Sequence, residues 1–479
     1  MKLRKKRRFC VAAGFCLLVI LLGGCTVGPK YVKPTTDVPA TYKEASDWKP
    51  AQPSDQNPKG KWWEVYHDAQ LNALEDQVSV SNQNLKAAQA TFQQARDAVR
   101  ISRSGLYPSV TGSASASRTG QSQNAPLRGA SPSDYNDFAL PVDVSYEADV
   151  WGSVRRTVEA GRAEAQASAA DLAAVDLSLH AELALDYFEL RGLDAQKQLL
   201  DSTVLAYEKA LDLTRSRYQG GLASAVDVAQ AQTQLETTRA QDVDVGVQRA
   251  AFEHAIAVLT GQPPSKVTLT PLALTTPPPP TPPGLPSDLL ERRPDIAAAE
   301  RRVQAGNAQI GVARAAYFPL ITLSGSGGFD STRLGTLLQG PSGFWALGAQ
   351  ATEILFDAGR RHAISDQARA AYDQSVDNYR QTVLTAFQEV EDNLAALRIL
   401  EHEAETQDGA VKSAEHSLEL SVTRYKGGVA SYLEVTTAQS AALSNERAAV
   451  DILTRRMVSS VLLIKAIGGG WSVAQIPPV

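Results

Sequence analysis

The sequence runs to 479 residues with 25 prolines, three cysteines and a formal net charge of −5. An acidic chain is a poor match for nucleic acid, which recruits basic surfaces, so no nucleic-acid partner is expected. The six histidines are scattered, and no His-Glu-x-x-His, Gly-x-Ser-x-Gly or phosphate-loop pattern occurs, so no enzyme activity, metal site or soluble cofactor is expected.

In chain order, Lys2 to Arg8 carries six positive charges and Phe9 to Leu22 is apolar, ending in Leu22-Gly23-Gly24-Cys25. This is the pattern of an export signal over 1–24, with an uncleaved anchor helix as the alternative. Leu-Gly-Gly-Cys resembles a bacterial lipobox. That resemblance implies that Cys25 becomes the first residue and carries a diacylglycerol and an acyl chain such as palmitate. Thr26 in the next position favours the outer membrane. Cys10 and Cys16 leave with the signal, so no disulfide remains, and the mature charge becomes −11.

The mature length, about 455 residues, would ordinarily divide into several globular domains. Proline placement argues otherwise. Residues 25–60 are proline-rich and read as a tether. Trp62-Trp63-Glu64-Val65-Tyr66 then packs the start of a first repeat over 61–270 or, on a second reading, forms a ligand platform. A helix is expected from about Asp68 to Arg103. No proline lies between Pro141 and Pro263 or between Pro341 and Pro477, whereas the linker at 271–287 contains PPPPTPPG, a polyproline II signal. A second repeat spans 288–466 and a tail follows at 467–479.

Each repeat carries a predicted β-hairpin, at 106–151 and 317–356. Phe138, Leu140, Val142, Val144, Tyr146 and Ala148 alternate with mostly polar residues, the pattern of a transmembrane strand. The other three strands alternate less cleanly, and a half-buried strand of a soluble sheet stays open for each. Long apolar stripes follow, including Leu179, Leu183, Tyr187, Leu190 and Leu200, then Tyr379, Val383, Phe387, Val390 and Leu394. Their spacing of three and four predicts coiled-coil-like helices about 100 Å long, deeper than any ordinary globular core.

Both stripes end in the same words, RYQGGLASAVDV from Arg217 and RYKGGVASYLEV from Arg424. Each is a helix, a turn at a glycine pair (Gly220-Gly221, Gly427-Gly428) and a returning helix, with tips near 218–228 and 425–435. Pro108 and Pro319 repeat 211 residues apart, and Trp151-Gly152 with Arg155 aligns with Phe356-Asp357 and Arg360 at 205. The chain is a tandem duplication of strand, strand, long helix, turn, long helix. Four strands cannot close a barrel, and open edges are not tolerated in lipid. Three chains would supply twelve strands and leave a lumen.

The chain resembles the TolC-like outer membrane efflux proteins, in the lipoprotein branch that serves resistance-nodulation-division pumps. The resemblance rests on CTVGPKYVKP, WWEVYHDAQLNALEDQ, the run from Leu289 to Gly325, LFDAGRR from Leu355, AFQEVEDNLAAL from Ala386 and the two Arg-Tyr-x-Gly-Gly turns. It implies a mainly α fold in a homotrimer, with a twelve-stranded transmembrane β-barrel continued by a periplasmic α-helical barrel. The function implied is the exit duct of a tripartite efflux system contributing to antibiotic resistance. The partners implied are a periplasmic adaptor (membrane fusion protein), an inner-membrane pump and outer-membrane lipid. The alternatives are a type I secretion duct and a non-conducting periplasmic coiled-coil lipoprotein. Matching the turns residue by residue places Asp227, Glu434, Tyr425 and Tyr218 at the periplasmic gate, with Thr437 where some members carry a second acid. Asp227 and Glu434 read equally well as first-turn acids that favour the helix dipole.

Overall fold

A computed structural model describes residues 26–45, 60–120, 122, 134–280 and 286–478. The leader over 1–24, Cys25, and parts of the tether, of the first hairpin loop and of the proline-rich linker lie outside the described residues. Helix α1 (Ala69–Ser81) and helix α2 (Gln83–Ser104) stand where one helix was expected. Asn82 divides them. Its backbone is extended, its side-chain oxygen accepts from Leu85 N, and its amide donates to Leu259 O at 2.8 Å, so it caps α2 and pins the joint.

The strands are β1 (Ser109–Gly112), β2 (Ser115–Gly120), β3 (Asp134–Glu147), β4 (Leu320–Ser331) and β5 (Gly343–Thr352), in one antiparallel sheet. β1 and β2 both pair with β3 in a single unbroken register, Gly112 opposite Val142 and Ser115 opposite Ala139. They are one strand interrupted where it faces Pro141. Pro141 accepts from Ser113 N at 3.1 Å but has no N–H to return on that side, so the ladder skips a step. The sheet is therefore effectively four-stranded, β1/β2–β3–β4–β5, as two hairpins predict.

One helical hairpin completes each repeat: α3 (Ser153–Gln219) with α4 (Ala225–Leu259) in the first, and α6 (Arg360–Lys426) with α7 (Tyr432–Ala466) in the second. Helix α5 (Pro294–Ala315) precedes β4. The outgoing helices α3 and α6 have 67 residues each. The expected stripe residues are buried, among them Leu183, Tyr187, Leu190 and Leu200 on α3 and Tyr379, Val383, Val390 and Leu394 on α6. Pro294 occupies the first turn of α5, where its missing N–H costs nothing. Beside it Arg293 donates to Glu389 at 2.6 Å and to Ala466 O at 2.9 Å, tying α5 to both helices of the second hairpin.

The duplication is regular. α2 and α5 begin and end 211 residues apart, and both hairpins repeat at 207. The 205-residue alignment of Arg155 with Arg360 is corrected accordingly. Arg155 Nε donates to Asp149 at 3.0 Å and Arg361 Nε to Asp357 at 2.7 Å, so Arg361 is the counterpart that clamps a carboxylate at the helix start. Side by side, the helices run α2, α3, α5, α6. The small-residue face of α3 (Ala163, Ala165, Ala167, Ala170) is buried between α2 and α5, but Ala370 and Ala371 on α6 are exposed, because α6 has a described neighbour of the α2/α5 kind, α5, on one side and none on the other.

Candidate functional site

The molecule has two ends at which function can reside. At the sheet end, register sorts every side chain onto one of two faces, since directly opposed residues of antiparallel strands project the same way. Val144 opposes Val110 and Gly325, and Gly325 opposes Leu347. Following such rows, one face carries Phe138, Leu140, Val142, Val144, Ile321, Leu323, Phe329, Trp345 and Leu347. The other carries Asp143, Glu147, Thr322, Ser324, Ser326, Asp330, Gln350 and Thr352, with Ser326 Oγ donating to Asp143 at 2.6 Å. The weak alternation of three strands thus becomes a coherent two-faced sheet once β3 sets the register. Gly325 and Gly327 lie on the apolar face beside Leu347 and Trp345, where a β-carbon on Gly325 would come within 3.2 Å of Leu347.

That apolar face is exposed, with Trp345 and Leu347 each 79% accessible, and both sheet edges, β1/β2 and β5, lack a partner strand among the described residues. No described helix is long and apolar enough to cross a membrane. A ten-residue strand tilted about 45° rises about 23 Å, close to the apolar band of a transmembrane barrel. Just below the sheet, Trp151 stacks on Phe318 at 4.7 Å and donates to Pro319 O at 2.8 Å. Val27 N donates to Trp151 O at 3.1 Å, so the chain enters at this junction.

At the far end lie the two turns. Each closes in a Schellman motif: Leu222 N donates to Arg217 O and Gly221 N to Tyr218 O, repeated by Val429 N to Arg424 O and Gly428 N to Tyr425 O. Only the second glycine of each pair takes positive φ, 73° at Gly221 and 75° at Gly428; Gly220 and Gly427 close their helices at negative φ, −78° and −72°.

The two predicted acids behave differently. Asp227 forms a capping box with Ser224, accepting from Ser224 N at 2.9 Å while Ser224 Oγ accepts from Asp227 N at 3.1 Å. Ser431 makes no such side-chain cap, and the longer Glu434 lies 3.8 Å from Arg424 in an exposed ion pair. Tyr425 is buried and Tyr218 half exposed. The Tyr425 ring meets Tyr432 edge-on at 5.2 Å, and burial pushes the Tyr432 hydroxyl up to about 12. The Tyr425 hydroxyl has no hydrogen-bond partner among the described residues. Its link to the other hairpin is through the ring: Arg217 lies 4.8 Å over its centroid and donates to Lys426 O at 3.0 Å. Arg217 was missed from sequence, although the doubled Arg-Tyr word was the signal. Above these contacts Tyr207, Leu211, Leu235 and Val435 seal the two hairpins together.

The sequence model of the outer membrane efflux protein family matches residues 74–262 and 285–469. The probable efflux pump outer membrane protein TtgC of Pseudomonas putida KT2440 is 33% identical over 454 residues, 94% of each chain. Outer membrane protein OprJ of Pseudomonas aeruginosa PAO1 is 32% identical over 98% of this chain and 97% of its own. Among solved structures, the Campylobacter jejuni outer membrane channel CmeC superposes with a TM-score of 0.87 at 27% identity, covering 94% of this chain and 96% of that one.

Proposed function

The chain belongs to the outer membrane efflux protein family, and we propose from that premise how it assembles and what it carries. It is the outer-membrane exit duct of a tripartite efflux system. On our reading three copies close the duct. The observation that carries this is the pair of free edges: the sheet ends at β1/β2 and β5, and the helical layer ends at α2 and α6. In lipid an unpaired strand edge leaves backbone groups unsatisfied, so β5 of one copy pairs with β1/β2 of the next. Twelve strands then enclose a lumen lined by the Asp143 face, and the neighbour's α2 covers the exposed alanines of α6.

The partners are a periplasmic adaptor and an inner-membrane resistance-nodulation-division pump, which supplies the energy. The cargo is drugs or other small toxic solutes, the class named for relatives such as the toluene efflux pump outer membrane protein TtgC of a second Pseudomonas putida strain. Conduction then involves no catalytic step and no cofactor. Acylation of Cys25 fits the path of the tether, because the next residue, Thr26, lies against Gly152 at the sheet–helix junction. Asp227, Glu434, Tyr218 and Tyr425 sit at the constriction where passage is controlled. Native mass measurement of the protein extracted from outer membranes tests the assembly. A trimer with one diacylglycerol and one acyl chain per protomer is expected; an unacylated or monomeric species contradicts it.

A further inference from the structure

The first described residues of the tether are held more firmly than a tether requires. Val27 N donates to Trp151 O at 3.1 Å, and Arg156 donates from Nε to Val27 O and from Nη2 to Pro29 O, each at 3.2 Å. Asn307 of α5 donates to the same Pro29 carbonyl at 3.2 Å. Gly28, at φ 111°, runs so close to α5 that a β-carbon on it would stand 2.6 Å from Gly311 Cα. Thr26 Cγ2 lies 2.9 Å from the corresponding point on Gly152. From its first described residue the tether is therefore pinned to the start of α3 and the last turns of α5.

Those two helix ends help to wall a cavity of about 350 Å³ below the sheet, whose apolar lining includes Val150, Trp151, Val312, Ala315, Phe318 and Ile321. Three of its polar lining groups are turned to other partners. Asp149 accepts from Val154 N and Arg155 N, Glu353 pairs with Arg361 at 2.9 Å, and Trp151 Nε1 donates to Pro319 O. What remains is a site for an apolar chain, and chain geometry supplies one. Cys25 Cα lies about 3.8 Å from Thr26 Cα across one peptide bond, and Thr26 abuts Gly152, whose sequence neighbours Trp151 and Ser153 both line the cavity. We propose that the amide-linked acyl chain of Cys25 occupies this cavity, so that the protein itself, and not the bilayer alone, holds the lipid anchor. The inference rests on the acylation read above. The two diacylglycerol chains stay in the membrane, since a cavity of this size takes a single chain. Attachment one residue from the cavity gives the acyl chain a high effective concentration there, which a free phospholipid lacks. Once seated, it packs against Trp151 and Phe318, whose stack joins the first repeat to the second.

Photocrosslinking of the full-length protein tests this. Cells would be fed a palmitic acid bearing a diazirine, and the purified protein would be irradiated, treated with mild alkali and digested. Alkali releases the ester-linked diacylglycerol chains and leaves the amide-linked one. The expected product is the Cys25 peptide joined through its acyl chain to segment 150–153 or 312–321. Ala315→Trp, which fills the cavity, should cut that product about tenfold while Cys25 stays acylated, and Ala315→Ser should leave it unchanged. A second measurement uses the chain exported on a signal that adds no lipid. Amides of 148–154 and 316–321 should exchange about tenfold faster there than in the acylated protein, with the centre of β3 unchanged. Cross-links confined to phospholipid or to the strands around Trp345 and Leu347, a phospholipid adduct inside the cavity, or equal exchange in the two forms would overturn the seat and leave acylation standing. An intact mass showing no acyl chain on Cys25 would overturn the acylation reading and the seat with it.

Discussion

Leu347 and Ala346 are neighbours on β5, yet register puts them on opposite faces: Leu347 opposes Gly325 in the apolar row with Val144, and Ala346 opposes Ser326 beside Asp143. Both rows lie midway along the strands. An arginine at 347 would face hydrocarbon near the bilayer midplane, at a cost of about 2–4 kcal/mol per chain. At 346 the same side chain would enter the lumen, within reach of the Asp143 carboxylate, at about 0–1 kcal/mol. A trimer multiplies the difference by three, enough to separate an assembling protein from one that is degraded. Leu347→Arg and Ala346→Arg would be compared by urea-induced unfolding from liposomes and by the yield of heat-modifiable protein in outer membranes. Leu347→Arg should fail or assemble poorly, with Ala346→Arg near wild type. Equal effects, or the reverse order, would refute the assignment of faces and with it the barrel.

Other consequences follow from the helical body. A β-carbon on Gly192 would stand 2.3 Å from Thr454 Oγ1, so Gly192→Ala should cost about 1–3 kcal/mol in thermal unfolding, with partial recovery when Thr454→Ala is added. Removing the α4 cap with Ser224→Ala should cost about 1 kcal/mol and speed hydrogen exchange in the first turn of α4 while leaving α7 unchanged, because Ser431 makes no side-chain cap. His180 is buried, which disfavours its charge, but hydrogen bonds with Asp176 and Glu75 hold its pKa up at about 9. A raised folded-state pKa means stability fully present below the ordinary histidine value and lost as pH rises through about 9. Melting temperature should accordingly fall between pH 7 and pH 9.5, and His180→Gln should flatten that slope. A slope unchanged by the substitution would exclude His180 as its source.

The long helices were legible because nothing competes with a three-and-four apolar spacing sustained for many turns and free of proline. The break at Asn82 was not, since the apolar pattern continues across it and the residue acts through a cap and a contact with Leu259 O, 177 residues away. The strands were half legible. β3 alternates by itself, but β4 carries glycines where Leu347 and Trp345 of β5 need room, and only pairing reveals that both faces are consistent. At the turns, sequence located the tyrosines, acids and glycines. It did not show that the short Asp227 closes a capping box while the longer Glu434 reaches Arg424, because both turns spell Ser-x-x-acid, nor that Arg217 joins the hairpins, which depends on reach between residues 209 positions apart.

A conducting path through the assembled wall would show itself in single-channel recordings of the purified protein in planar bilayers. Wild type would be compared with a variant carrying Asp227→Ala, Glu434→Ala, Arg217→Ala and Arg424→Ala. Discrete current steps are expected, small in wild type and larger and longer-lived in the variant. Silence from both, in protein shown by its β-content and protease protection to be inserted, would contradict it.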